Sequence, residues 1–306
     1  MRGHAFLLGT AGLLLGGAPA FALDLAVADF QNNTVQIINS GGTTISVLSS
    51  PLLDGPMGVS YDDSGNLYVG NFYNNTIVKF NPAGHASLFA TTALNEPRGL
   101  VCDANGNVYV ANYNGNDVVK FNSQGQASFF AGASAPTGLA LDSQGNLFVA
   151  GQGGYVDKFN TVTGMGTLFA LPGGAGPGPE GLAFDPAGNL YVADYGGNSI
   201  YKYNANGVGG FFASTGGGYT NPFGLAYAGG ILYASCNVDE IEQFASSGGT
   251  GGYFASTLNG PWFIAVQPTP EPSTIVILLA GLTGYCSLSA RRPRNVVHRL
   301  RFVKIP

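Results

Sequence analysis

The 306-residue chain is 45% hydrophobic and only 9% charged, with 48 glycines and a formal net charge of −5. Its charge is unevenly spread: five of the 12 Lys and Arg residues (Lys79, Arg98, Lys120, Lys158, Lys202) but 16 of the 17 acidic residues lie between positions 23 and 269, leaving that stretch near −11. Such a surface repels phosphate backbones and excludes nucleic acid as a partner.

Residues 1–22 place Arg2 ahead of an apolar run reaching Leu15 and a small-residue site at Ala20-Phe21-Ala22. That order is a secretory signal peptide, cut before Leu23 by signal peptidase, and it predicts export. From position 58 a unit of about forty residues recurs, with echoes starting at Gly99, Gly138, Gly181 and Gly224, spaced 41, 39, 43 and 43 residues. A period of that size built from short strands and glycine turns predicts a toroidal or solenoid array.

Each unit reads as four strands. The first leads into an Asp-x-x-Gly-Asn turn, in which Asp bonds the backbone two residues on and Gly supplies the positive φ. The second is a continuous apolar run (LYVG, VYVA, LFVA, LYVA), which means burial on both faces. The third carries a recurring Lys (Lys79, Lys120, Lys158, Lys202), expected on a solvated outer edge that it guards against edge pairing. The fourth ends in a bulky pair and Ala, as in Leu88-Phe89-Ala90.

The chain ends supply the count. Residues 23–48 match strands two to four with no first strand, and residues 260–267 match a first strand with nothing after it. Joined, they complete one unit and remove the sheet edges of an open array. The prediction is all-β: a six-bladed β-propeller over residues 23–267, closed head to tail by three N-terminal strands and one C-terminal strand. Cys102 and Cys236 fall in blades three and six, on opposite sides of that ring and too far apart for a disulfide.

Beyond the ring, Pro270, Glu271 and Pro272 precede an apolar run at 275–290 and then Arg291-Arg292-Pro293-Arg294. Sixteen residues are short for a membrane span. Six basic residues at 291–304 put that end on the cytoplasmic side by the positive-inside rule. The order of motif, apolar run and basic stop resembles the PEP-CTERM sorting tail of Gram-negative bacteria. The resemblance implies passage across the inner membrane, anchoring by residues 268–306, processing by an exosortase-type sorting protease near the Pro-Glu-Pro motif, and a place in the envelope or outside the cell. Residues 295–306 extend past the point where such tails usually stop.

In an up-and-down blade, the start of strand one and the end of strand two share a face of the disc. Two residue rings converge there. One is the middle residue of Pro-x-Gly or its equivalent: Met57, Arg98, Thr137, Glu180, Phe223 and Trp262. It varies from blade to blade while its neighbours repeat. The other ends strand two: Asp29, Asn71, Asn112, Gly151, Asp194 and Cys236. Aromatic residues at Phe30, Phe72, Tyr113 and Tyr195 lie just beyond. For both rings there is a plain structural alternative, with Asp or Asn merely starting a turn and the first ring packing between blades.

The repeat, which reads Pro179-Glu180-Gly181, Asp185-Pro186-Ala187-Gly188-Asn189 and then residues 190–194, resembles NHL-type six-bladed propellers and the related streptogramin-lyase-like and gluconolactonase-like groups. One such scaffold hosts many activities. Streptogramin-lyase-like enzymes use a histidine at the channel mouth. Here the single histidine between 23 and 269 is His85, in an outer turn, and no Ser-His-Asp or Cys-His set can be assembled. Gluconolactonase-like enzymes hold a divalent metal with carboxylate and amide oxygens, and Asp29, Asn71, Asn112 and Asp194 could supply oxygen ligands to Ca2+ or a similar ion, Asp29 and Asp194 as the carboxylates, although that family's N-terminal metal-binding Glu has no counterpart. The preferred reading is an exported, non-catalytic binding or structural module with no cofactor, its candidate ligand extracellular polysaccharide or matrix. The alternative is a metal-dependent hydrolase or lyase of the gluconolactonase or streptogramin-lyase type.

Overall fold

The computed structural model describes residues 24–171, 178–216, 220–256 and 258–268. The expected signal peptide and the expected sorting tail, with the Pro270-Glu271-Pro272 motif and the apolar run at 275–290, lie outside the described residues. Among the described residues, no helix is long and apolar enough to cross a membrane. Tyr113–Gly115 is the one helical turn among them, of 3₁₀ type.

Six antiparallel sheets form the ring. Blade one is the split unit: Pro261–Val266 pairs with Leu25–Asp29, followed outward by Thr34–Ile38 and Thr44–Ser49. Blade two runs Pro56–Tyr61, Leu67–Asn71, Thr76–Phe80, Ala86–Ala90. The innermost strands of blades three to six are Pro97–Cys102, Pro136–Leu141, Pro179–Phe184 and Pro222–Ala228. In blade five a two-residue strand, Gly249–Thr250, adds in parallel to the outer edge of Gly209–Ser214. The head-to-tail closure expected from the sequence is therefore the observed one, and each innermost strand touches the next around the whole ring.

The second strand of every blade is buried from end to end or nearly so, which is why it reads as an unbroken apolar run. Apolar packing divides into six clusters, one in each gap between blades, in place of a single central core. The bulky pair of each outer strand splits by strand alternation: Phe89, Phe130 and Phe212 turn into these clusters while Leu88, Phe129 and Phe211 face solvent.

The Asp-x-x-Gly-Asn turns seal themselves. Asp62 Oδ1 accepts the backbone N–H groups of Ser64 and Asn66 at 3.0 and 2.9 Å, and the Asn66 amide donates to Asp62 Oδ2 at 2.8 Å. Asp103, Asp142 and Asp185 repeat the arrangement. These turns also correct the reading of the recurring lysine. Lys79, Lys158 and Lys202 sit on third strands, inside the sheet edge, and pair with Asp62, Asp142 and Asp185 of their own blades at 3.9, 3.2 and 3.4 Å. Each also lies about 5 Å over an aromatic ring of strand two, as Lys120 does over Tyr109. The lysine braces the blade; the edge it was expected to guard belongs to the next strand out.

Blades are fastened to one another at the opposite end. Asn33, Asn75 and Asn116 occupy left-handed turn positions, and their side-chain oxygens accept the N–H of Gly55, Glu96 and Ala135 in the following blade at 2.7, 2.7 and 3.0 Å. Those three acceptor partners precede proline and have φ of 64°, 55° and 45°. The left-handed backbone turns each N–H out of its own blade toward the neighbour.

Candidate functional site at the channel mouth

Every Pro-x-Gly step is a β-bulge. In blade four, three steps from Pro136 to Leu139 oppose two steps from Gly151 to Val149, and the other full blades show the same shift or its two-to-one variant. A bulge leaves one residue unpaired and redirects its side chain. The following glycine lets the inner strand meet the next blade: a Cβ on Gly138 would stand 1.9 Å from the Glu180 carbonyl oxygen. Together these features set the varying residue apart from the paired backbone at the start of each innermost strand.

The six variable residues form two arcs and a buried remainder. On the polar arc, Arg98 Nη1 of blade three reaches Glu180 Oε1 of blade five at 3.6 Å, crossing blade four. Thr137 of blade four permits this, being small and fully buried with its hydroxyl donating to the Pro179 carbonyl at 2.7 Å. The Arg98 guanidinium lies 3.5 Å above the Tyr113 ring, and the Tyr113 hydroxyl donates to Gln152 Oε1. Glu180 is 3% exposed, and its carboxyl is pushed up to about 7. Burial is the dominant cause, opposed by Arg98 and by the amide of Gln152. Arg98 Nε and Glu180 Oε2 are buried without a hydrogen-bond partner.

The apolar arc runs through the other blades. Phe223 and Trp262 lie 4.1 Å apart at 32°, with Tyr195 4.8 Å from Phe223 and Phe30 6.0 Å from Trp262. Phe30 continues to Phe72 and Tyr73 at 5.9 and 5.3 Å. Trp262 also packs on the cluster between blades one and two, which contains Met57, itself 2% exposed. Met57 and Thr137 therefore support the mouth from beneath, while Arg98, Glu180, Phe223 and Trp262 shape it.

The second ring has a different job. Asn71 Oδ1 accepts the Asp54 N–H at 3.1 Å and its amide donates to the Leu52 carbonyl at 2.7 Å. Asn112 accepts the Asn95 N–H and donates to Asp117 Oδ1 at 2.7 Å. Asp29 accepts from Gln36, Asn32 and the Asn259 backbone at 2.8, 3.0 and 2.9 Å. These side chains tie the loop that enters each blade to the end of its second strand. Asp194 faces the backbone N–H groups of Gly197 and Gly196, with burial the larger influence holding its carboxyl above the usual range. The donors present do not fit a divalent cation: the oxygens of Asp29, Asn71 and Asn112 are engaged by protein N–H groups, and among the described residues no three His, Cys, Asp or Glu side chains are grouped for a metal.

Gln152 takes a place at the mouth that the sequence reading passed over. It follows strand two of blade four, where Phe30, Phe72, Tyr113 and Tyr195 follow theirs, and an amide in that aromatic set was the available signal. His85 lies between the third and outer strands of blade two, at the end of the disc away from the mouth.

The NHL repeat family matches residues 53–80, and the strictosidine synthase-like N-terminal family matches residues 162–201. No curated protein matches the sequence. Among solved structures, the chain is similar to a nidogen/laminin complex component (TM-score 0.70, 15% identity, 80% of this chain and 98% of that one). It is also similar to an inactive variant of virginiamycin B lyase from Staphylococcus aureus with quinupristin (TM-score 0.62, 18% identity, 80% and 92% covered) and to a streptogramin B lyase (0.57, 15%, 78% and 75%). At these identities the likeness establishes the fold, an all-β propeller carrying an NHL repeat.

Proposed function

We propose that this chain is an exported propeller of the cell envelope or cell exterior that acts as a non-catalytic binding or structural module, with the channel mouth as its ligand site. One observation carries the reading: six equivalent bulge positions flanked by repeated residues hold unlike side chains, sorted into one polar and one aromatic arc. A purely structural ring has no use for that asymmetry, whereas a small-molecule site needs apolar walls and a few convergent polar groups. The leader and the Pro-Glu-Pro tail support delivery by signal peptidase and an exosortase-type protease, with transient or lasting membrane anchorage.

One feature favours the hydrolase or lyase reading. A buried carboxyl that titrates near neutrality, as Glu180 does, is suited to general acid–base work. Its charged neighbour at the mouth is the Arg98 guanidinium, and no step is assigned to the pair. The test is to isolate the protein from its native host, sequence both termini by mass spectrometry, and follow ligands through the fluorescence of Trp262, the single tryptophan of the chain. Saturable binding without turnover, by protein lacking residues 1–22, supports the proposal. Turnover, or an intact Met1 in the cytoplasm, overturns it.

A further inference from the structure

Resting on the binding role just proposed, we propose that the mouth takes a neutral pyranoside, its ring packed against the Phe223–Trp262 stack and its hydroxyls engaging the Arg98–Glu180 pair. Two independent observations define the ligand chemistry. The first is the unmatched donor and acceptor within one buried ion pair: Arg98 Nε has a proton to give, and Glu180 Oε2 a lone pair to fill. A hydroxyl both donates and accepts, so adjacent ring hydroxyls satisfy both atoms. A ligand carboxylate would satisfy Arg98 but face the Glu180 oxygen. A ligand ammonium would satisfy Glu180 but face the guanidinium. The pair is neutral as a unit and rejects both charges, and leaving either atom unmatched in a buried setting is unfavourable.

The second observation is the aromatic arc. The rings of Phe223 and Trp262 stack on one another at 4.1 Å with 32° between their planes, and the rim of that stack is the apolar wall. The C–H face of a pyranose is the complementary surface, apolar on its face and hydroxylated around its rim. Tyr195 and Phe30 extend the wall to either side, which suits an oligomer better than a lone sugar. A flat aromatic ligand would use the wall but leave the polar pair unmatched.

The test titrates the purified full chain with neutral β-glucan and mannan oligomers, an acidic polygalacturonate oligomer and a cationic chitosan oligomer, reading Trp262 emission. Neutral oligomers are expected to give a saturable shift. Glu180→Ala should weaken it about tenfold, the loss expected for one hydrogen bond to a charged group, and Phe223→Leu should weaken it by removing an aromatic anchor, with circular dichroism and melting reported for both. Phe223→Leu keeps an apolar side chain, so it remains informative where Glu180→Ala fails to fold. An unchanged affinity in folded Phe223→Leu places binding elsewhere and overturns the inference. No shift with any neutral oligomer, or tighter binding of the acidic or cationic one, also overturns it; in the latter case the mouth remains a binding site of another specificity. Cleavage of a bound neutral oligomer leaves the inference standing and removes the non-catalytic reading instead.

Discussion

Asp239 Oδ1 accepts the backbone N–H of Gly260 at 2.7 Å, fastening blade six to the strand that completes blade one. This is the latch that Asn33, Asn75 and Asn116 make between earlier blades, now with a carboxylate as acceptor. Asp239 is itself left-handed, at φ 62°, as the asparagines are. The latch predicts a graded result. Asn75→Gly keeps the left-handed turn but removes the bond, and should destabilise by about 1 kcal/mol. Asn75→Ala adds the backbone penalty of roughly another 1 kcal/mol. Asp239→Gly should exceed Asn75→Gly, because bonds to charged groups are worth about twice as much as neutral ones. Urea unfolding of the three variants measures the series; equal effects for Asn75→Gly and Asp239→Gly would show that the carboxylate latch is worth no more than the amide ones.

Ring closure predicts a larger effect. Removing residues 260–267 strips blade one of its innermost strand and uncovers the apolar cluster shared with blade two, including Met57 and Val59. The truncated protein should be insoluble, or melt far lower than any single substitution, beyond the usual one to three kcal/mol. Light scattering and calorimetry distinguish these outcomes from the unchanged monomer that an open architecture would give.

Close packing around the channel predicts that Gly138→Ala is poorly tolerated. Its added carbon would sit 1.9 Å from the Glu180 carbonyl oxygen, and Gly58→Ala would place one 2.0 Å from that of Arg98. Both contacts are to backbone, which cannot rotate aside. Each change should cost about 2–3 kcal/mol, in the range of overpacking, against a fraction of that at Gly145, where an added carbon meets nothing within 4 Å and only the positive φ of 78° opposes it.

Burial of Glu180 predicts a pH dependence with a definite sign. Its folded carboxyl titrates at about 7, against 4.5 for the free group. Between those values the native state holds more protons than the unfolded state, so stability falls as pH rises through the window and levels off above 7. The full effect is about 3 kcal/mol. Wild type should lose stability relative to Glu180→Gln between pH 4.5 and 7.5, and the difference between the two proteins cancels other carboxyls such as Glu242. A flat difference would mean that Arg98 compensates the buried charge completely.

The aromatic arc predicts unequal roles. Trp262→Ala should lower stability by about 2 kcal/mol, because Trp262 packs on the cluster beneath blades one and two as well as on Phe223. Phe223→Ala, outside every such cluster, should lower it by about 1 kcal/mol and act mainly on binding. Thermal melts of both variants check this; equal large losses would make the arc core rather than wall.

The sequence by itself determined the architecture, because a propeller is built from local rules repeated. Every blade has a buried second strand, four carry the Asp-x-x-Gly-Asn turn and five the Pro-x-Gly bulge, and each of these leaves its own mark in the repeat. The split between residues 24–48 and 260–267 was equally legible, since a missing first strand at one end and a spare one at the other admit one closure. What stayed hidden were relations between blades. The lysines looked like edge guards because their pairing with Asp62, Asp142 and Asp185 depends on where the first turn folds back beneath the third strand. Asn71 and Asn112 looked like candidate ligands because the loops they hold carry no motif of their own. That Arg98 meets Glu180 over Thr137, and that Phe223 meets Trp262, follows from side-chain reach across a closed ring of fixed radius. That radius is set by the contact of all six inner strands at once, glycine-lined in five of them, a property no single repeat contains.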